Sequence, residues 1–136
     1  MKYLNEVAPK RMLISEHTKE SVVSNKWMDG YVEDMKIDVN DISVVSCNIR
    51  FRIGKRTYLT ESIMKFPVVL KTDEGDYMKR EVTANVIDAE GMNFLLGRQT
   101  MKEWRLIIDH SEDILIFRGK RFELKENDKR VELDKN

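Results

Sequence analysis

The fold of this chain is decided by a short apolar run that ends in glycine and arginine, NFLLGR at residues 93–98. An apolar run of this length predicts a buried β-strand, and the glycine is expected to close it. Residues 99–104, QTMKEW, then predict a short helix. Three apolar runs follow at residues 106–108, 114–117 and 122–124, and they predict the strands that complete the fold.

Upstream of this run, apolar and polar residues alternate at the period of a β-strand. Residues 49–53, IRFRI, follow this period, and residues 54–55 predict a tight turn because they begin with glycine. Residues 57–60 are the expected return strand. Residues 63–70 and 77–87 predict a second hairpin around an acidic, glycine-containing turn.

One more strand and one helix complete the predicted elements. Residues 11–15, RMLIS, predict a buried strand. Ser21 or Ser24 is expected to cap a helix, because a serine oxygen can accept an unpaired backbone N–H. Apolar residues at helical spacing support that helix, namely Trp27, Met28, Tyr31, Val32 and Met35. The total of about eight short strands and two short helices predicts a small, mostly-β barrel or sandwich.

Composition and charge restrict the classes of function. The chain has 136 residues, with 24 Lys+Arg and 24 Asp+Glu, so its formal net charge is zero. This balance argues against a general nucleic-acid binder and leaves nucleic acid only a local basic patch to contact. One cysteine, Cys47, excludes an internal disulfide framework, and two histidines with one cysteine do not suffice for a structural zinc site. We therefore predict no metal and no cofactor.

The sequence also carries expectations about location and domain organisation. The N-terminus has no long apolar run, and no stretch approaches the roughly 20 apolar residues that span a bilayer. We therefore expect no signal peptide, no membrane contact, and a cytoplasmic or nuclear location. The composition predicts a folded domain at residues 1–124 and a charged C-terminal tail at residues 125–136.

The order of these elements resembles the retropepsin-type aspartic proteases, most of all the retrotransposon-encoded members. Residues 84–109 are similar to the C-terminal half of that family, whose apolar-apolar-Gly motif is represented here by Leu95, Leu96, Gly97 and Arg98. Residues 51–58 resemble the flap hairpin, and residues 21–27 resemble the segment after the active-site turn. The resemblance implies a retropepsin-like closed β-barrel with one or two short helices, in which Gly97 closes its strand and Arg98 helps to hold subunit contacts.

The chain departs from this family at the catalytic position. Retropepsins carry Asp-Thr/Ser-Gly after the first buried strand, and two such aspartates, one per subunit, share a proton and activate a water. Aligned on residues 21–23, this chain has Ser15, Glu16 and His17 there, and no Asp-Thr-Gly or Asp-Ser-Gly occurs anywhere in it. Because Ser15 has no carboxylate, the resemblance together with this departure predicts a pseudo-aspartic protease without catalytic residues.

The flap hairpin supplies the remaining candidate contacts. The resemblance implies that it closes over an extended peptide, with candidate contacts at Phe51, Ile53, Gly54 and Lys55. The hairpin also carries a local basic cluster, which is either a solvated strand face or a contact for a phosphate backbone or an acidic partner. The cluster comprises Arg50, Arg52, Lys55 and Arg56, and its three arginines are the candidate partner contacts. The family's dimeric enzymes imply a homodimer, and a monomer docked on another protein is the alternative.

We therefore predict a catalytically inactive retropepsin-like protein, derived from a mobile element, that acts as a protein-binding or assembly module. Two alternatives stay open at this point. One is a subunit or bound factor of a large ribonucleoprotein or protein assembly, and the other is an inhibitory partner of an active aspartic protease. An active aspartic peptidase is the last of the four hypotheses.

Overall fold

The computed structural model describes residues 2–7, 10–53, 55–71, 74–88 and 93–126. Within these residues the chain forms one ten-stranded sheet, two α-helices and a short 3-10 helix. The strands are β1 (Lys2–Val7), β2 (Lys10–Ile14), β3 (Ser21–Ser24), β4 (Ser43–Ile53), β5 (Arg56–Lys71), β6 (Tyr77–Ile87), β7 (Phe94–Leu96), β8 (Ile107–Asp109), β9 (Ile114–Phe117) and β10 (Lys120–Glu126). The helices are α1 (Asn25–Met35) and α2 (Arg98–Glu103), and the 3-10 helix is Val39–Asp41.

The sheet has two free ends in the part of the chain that is described. The strand order is β4-β5-β6-β3-β7-β2-β1-β10-β9-β8, so β4 and β8 are the edges. The mostly-β prediction with short helices is confirmed, whereas the prediction of a closed barrel is wrong. Among the described residues, β4 pairs with β5 alone and β8 pairs with β9 alone, so no ladder of backbone hydrogen bonds joins the two ends of the sheet.

The glycine-terminated run lies at the centre of this sheet. Strand β7 is inserted between β2 and β3, parallel to the first and antiparallel to the second. Its side chains alternate between two cores, since Phe94 and Leu96 pack in the main cluster and Leu95 packs in a smaller one. The run is apolar throughout because both faces of the strand are covered.

Helix α1 covers the main core with the face that its spacing predicts. Its N-cap is Ser24, whose Oγ accepts a hydrogen bond from the backbone N–H of Trp27 at 3.1 Å. Trp27 stacks on Tyr31 with ring centroids 4.8 Å apart, and both rings contact Phe66. Ser21, the other predicted cap, begins β3 instead.

Strand pairing makes β5 longer than its sequence pattern suggests. The two predicted strands at residues 57–60 and 63–70 are one strand, Arg56–Lys71, because β4 pairs along its first half and β6 along its second. The last β4 pair is Ser43 with Lys65, so Pro67 lies where only β6 neighbours β5. Proline is tolerated at such an edge-like position because no partner there needs its missing N–H.

At the ends of the chain, the structure adds strand β1, which the sequence pattern did not predict, and lengthens the predicted strand at residues 122–124 into β10. Strand β1 pairs with both β2 and β10. Strand β10 includes residues 125 and 126, the first two of the predicted tail, while residues 127–136 lie outside the described residues. None of the helices in the described ranges is long and apolar enough to cross a membrane.

Candidate functional site

Ser15 occupies the position where the resemblance places a catalytic aspartate. It follows β2 directly and is 5% exposed. Its backbone N–H donates to the carbonyl of Leu96 at 3.0 Å, and its hydroxyl donates to Oγ1 of Thr18 at 2.8 Å. The buried hydroxyl is therefore satisfied inside its own loop and acts as a structural group there.

The two residues after Ser15 do not restore a carboxylate at this position. Glu16 and His17 are both exposed. Oε1 of Glu16 lies 3.4 Å from Nε2 of His110, in the turn between β8 and β9, and the Glu16 side chain is 46% exposed. The carboxylate that follows Ser15 therefore lies at the surface, and residues 15–17 do not converge on a common centre.

The loop after β2 is held by the start of helix α2. The backbone N–H of Arg98 donates to the carbonyl of Thr18 at 2.7 Å, and that of Gln99 donates to the carbonyl of Lys19 at 2.9 Å. These two bonds satisfy first-turn N–H groups that have no partner within the helix. The predicted motif at residues 95–98 thus has a backbone role beside the loop, and the side chain of Arg98 is exposed.

Gly97 is needed for space rather than for backbone conformation. Its φ of −88° and ψ of 169° are open to any residue. A Cβ at this position would lie 2.4 Å from both the carbonyl carbon and the carbonyl oxygen of Glu20. The glycine therefore permits the close approach of two backbones that brings the loop and α2 together.

In the flap-like hairpin, β4–β5, the end of β4 packs against the smaller core cluster. Ile53 is 4% exposed and packs in the smaller core cluster, with Leu13, Val22, Ile87 and Leu95. In this conformation Ile53 belongs to the chain's own core, which does not fit the expected contact with a bound peptide. Lys55 is exposed, while Gly54 and the side chain of Phe51 lie outside what the structure describes.

The arginines of this hairpin divide between its two faces. Arg50 lies opposite Leu59, and Arg52 lies opposite Thr57. Because side chains alternate along a strand, Arg50 and Arg52 share one face, and both are exposed. Arg56 lies opposite Ile53, on the other face, and has contacts within the chain. The structure therefore brings together two of the three predicted residues.

The outer edge of β4 is an exposed apolar surface. Within the described residues β4 pairs with β5 alone. Val44 is 58% exposed and Val45 is 62% exposed, so both faces of this strand are uncovered near its start. Ile49 is 41% exposed beyond a register shift between Ser46 and Ile49. An uncovered strand edge with apolar side chains is a surface for pairing with another chain.

The polar turn between β8 and β9 is organised by Asp109. Its Oδ1 accepts hydrogen bonds from Oγ of Ser111 at 2.7 Å, from N of Ser111 at 3.0 Å and from N of Glu112 at 3.2 Å. The hydroxyl of Ser111 and the N–H of Glu112 hold the pKa of Asp109 below its usual range. In the described ranges no group of three or more His, Cys, Asp or Glu residues is placed to hold a metal ion.

Sequence reasoning missed two features of this region. The first is the start of β4, where the pair Val44 and Val45 gave an apolar signal but no strand period. The second is Asn85, which is 6% exposed inside β6 and lines a cavity of about 340 Å³. Asparagine is depleted in strands, so an asparagine inside an apolar β-run indicates a buried polar side chain that strand formation alone does not explain.

Comparisons with known proteins agree with this architecture. No family model matches the chain, and no curated protein sequence matches it. Among solved structures, the chain is similar to the crystal structure of the retroviral protease-like domain of Ddi1 from Leishmania major, with 13% sequence identity and a TM-score of 0.59. The match covers 93% of this chain and 94% of that chain. At this identity the likeness shows the fold alone, and we conclude that the chain has a mostly-β, retropepsin-like fold.

Proposed function

We propose that this chain is a catalytically inactive retropepsin-like protein, derived from a mobile element, that acts as a protein-binding or assembly module. The observation that supports inactivity is the buried Ser15, which stands where the resemblance would place the catalytic aspartate. Aspartyl catalysis needs two close carboxylates that share one proton and activate water. A symmetric dimer of this chain would instead bring two serine hydroxyls together.

The neighbouring groups support the same proposal. A neutral hydroxyl does not serve as a general base, and the Ser15 hydroxyl is already donating to Thr18. The adjacent carboxylate, Glu16, lies at the surface beside His110. Neither the Ser15 hydroxyl nor the Glu16 carboxylate is therefore positioned to activate water at the site that the resemblance assigns to the aspartate.

The binding role rests on the free edge of β4. An extended segment of a partner can add to this edge as a further strand, with main-chain hydrogen bonds providing affinity. Val44, Val45 and Ile49 offer apolar side-chain contacts along the same edge. This mode of binding needs no catalytic group and no open cleft, which fits a hairpin tip that is packed against the chain's own core.

A second candidate function is a subunit or bound factor of a large ribonucleoprotein or protein assembly. It is supported by Arg50 and Arg52, which present two guanidinium groups on one exposed face of the hairpin. Paired arginines favour phosphate or carboxylate partners. Replacing both by alanine is expected to abolish co-sedimentation with such an assembly, and unchanged sedimentation would contradict this candidate.

Inactivity is tested with purified protein and a peptide library at acid pH. We expect no cleavage by the natural chain above the level of a heat-denatured sample. The matched variant Ser15→Asp reports whether the missing carboxylate alone limits activity. Cleavage by the natural chain that a statine-type inhibitor blocks would refute the proposal.

The binding role is tested by affinity capture from the cells that make the protein. The variant Val45→Lys adds a charge to the exposed edge of β4, and Val39→Lys adds the same charge at a position that is 69% exposed but outside the strand. We expect a partner to be retained by the natural chain and by Val39→Lys, and to be lost from Val45→Lys. Equal retention by all three proteins would exclude the β4 edge as the contact.

A further inference from the structure

A cavity of about 340 Å³ lies where the β4–β5 hairpin, strand β6 and helix α2 come together. One wall is apolar and is formed by Ile49 and Ile63. The lining also includes polar residues, among them Asn85, Glu20 and Glu103. This volume is at the lower end of the range for small-molecule sites, which suits a single side chain or a small ligand.

Asn85 is the feature that points to a ligand. It pairs with Ile63 on β5 and with Val22 on β3, so its backbone is engaged in the middle of the sheet. Its side chain lies on the same face as that of Ile63, because residues opposite each other in an antiparallel pair share a face. The residue is 6% exposed, and among the described residues its amide has no hydrogen-bond partner.

The other buried polar groups of the cavity are already satisfied. Oγ of Ser21 and Oγ1 of Thr100 are hydrogen-bonded to each other at 2.6 Å, and Oγ of Ser21 also accepts from the N–H of Gly97 at 3.0 Å. A buried amide without a hydrogen-bond partner destabilises the folded chain, because it has lost its bonds to water. Asn85 therefore retains hydrogen-bonding capacity that a bound group can use.

The charges of the lining select the kind of group. Glu20 and Glu103 contribute two carboxylates, and no lysine or arginine is among the described residues that line the cavity. Among the described residues neither carboxylate has an ion-pair partner. An apolar wall beside acceptor oxygens matches an aliphatic stem that ends in a cation, as in lysine and arginine.

We propose that this cavity binds the basic end of a lysine or arginine side chain carried by a protein partner. The stem packs against Ile49 and Ile63, and the cation donates to Oδ1 of Asn85 and to the two carboxylates. The inference rests on the proposed protein-binding function and adds a specificity to it, because it selects partners that place a basic residue next to the β4–β5 hairpin.

The test is a titration of the full chain with short capped peptides, followed by amide NMR shifts, including those of the Asn85 side chain. The probes are N-acetyl-Ala-Arg-Ala-amide, the corresponding lysine peptide, and a citrulline peptide that keeps the shape of arginine without its charge. We expect saturable shifts with a basic peptide and binding by the citrulline peptide that is weaker by about tenfold or more, as expected for loss of a charged hydrogen bond. Equal binding of the citrulline peptide, or no saturable shift with any peptide, would overturn the proposal.

Three variants assign the binding to the cavity. Asn85→Leu removes the amide without breaking a described hydrogen bond, and Glu103→Gln removes one carboxylate at an exposed position where folding is not at risk. Each of these two substitutions is expected to lower the affinity for the basic peptide by about fivefold or more. Glu33→Gln, on the exposed face of α1, is the matched control and should bind as the natural chain does. Unchanged affinity in both cavity variants would overturn the assignment.

Two further comparisons complete the test. The first distinguishes a partner's side chain from a free small molecule as the source of the cation, and the second distinguishes this inference from the proposed function. Free agmatine carries the same guanidinium without a peptide, and tighter binding of agmatine than of the arginine peptide would overturn a partner side chain as the ligand. Loss of a captured partner from Val45→Lys, combined with no peptide binding in the cavity, would overturn this inference and leave the proposed function standing.

Discussion

Replacing Gly97 by alanine is the sharpest test of how the loop after β2 is held. The added methyl group would lie 2.4 Å from the carbonyl carbon and oxygen of Glu20, and 2.8 Å from the carbonyl oxygen of Lys19. Real Cβ atoms essentially never approach other atoms to within 3.0 Å. Because the obstructing atoms are backbone atoms, no side-chain rotation relieves the contact, and either α2 or the loop has to move.

The magnitude follows from overpacking and from the hydrogen bonds that the movement breaks. Overpacking a well-packed site costs about 1–3 kcal/mol. The bonds from Arg98 N to Thr18 O at 2.7 Å and from Gln99 N to Lys19 O at 2.9 Å span the same contact, and each contributes about 0.5–1.5 kcal/mol. We expect Gly97→Ala to lower the free energy of unfolding by about 3 kcal/mol or more, a large part of the stability of a domain this size.

Urea denaturation followed by tryptophan fluorescence measures this loss. With a slope of about 2 kcal/mol per molar urea, the midpoint should fall by about 1.5 M. Gly119→Ala is the matched control, since Gly119 has a φ of +76° and nothing within 4 Å of an added Cβ. Its cost is conformational, about 1–2 kcal/mol, and Gly119→Asn should recover part of it. A loss below about 1 kcal/mol for Gly97→Ala, or recovery by Gly97→Asn, would refute the steric explanation.

Two further predictions concern helix α1. Tyr31 is fully buried, and its hydroxyl donates to the carbonyl of Pro67 and accepts from the N–H of Val69, both at 3.0 Å. Burial raises the pKa of Tyr31 to about 12, and the hydrogen bond from the Val69 N–H opposes this rise. The folded state therefore keeps a phenol proton that the unfolded state loses near pH 10. The contribution of Tyr31 to the free energy of unfolding is therefore fully present below pH 10, and it falls by roughly 2–3 kcal/mol as the pH rises to about 12. Tyr31→Phe should remove that part of the pH dependence of the unfolding free energy and cost about 1–3 kcal/mol at neutral pH, and identical pH slopes would contradict the assignment. Ser24→Ala should remove the cap on Trp27 N and lower stability by about 1 kcal/mol in the same urea assay, whereas an unchanged midpoint would show that the cap does not contribute.

Local patterns predicted the elements that rely on local physics. The spacing of apolar residues in α1 identifies its buried face, and Ser24 is a cap because its side chain reaches a backbone N–H three residues later. The run at residues 93–98 reads as a strand closed by glycine, and its place in the order of elements led to the retropepsin-like fold. These features depend on neighbours along the chain, so the sequence carries them directly.

The candidate site depended on contacts between distant segments. Ser15 and its loop are fixed by Leu96 and by the start of α2, and Gly97 is required by a carbonyl of Glu20 that lies far away in sequence. Arg56 separates from Arg50 and Arg52 only because the strand register places it opposite Ile53. None of these relations has a period or a spacing that a single sequence displays.

By itself, the sequence determined the mostly-β class, the position of α1, and the identity of Ser15 at the position where the resemblance expects an aspartate, because alternation, helical spacing and residue type are local properties. Within the described part of the chain, tertiary structure alone decided that the sheet is open at β4, that Ile53 becomes core, and that the Asn85 amide has no hydrogen-bond partner beside a cavity. Those outcomes depend on which strands meet and in which register, and a shift of one residue in a strand exchanges its buried and exposed faces.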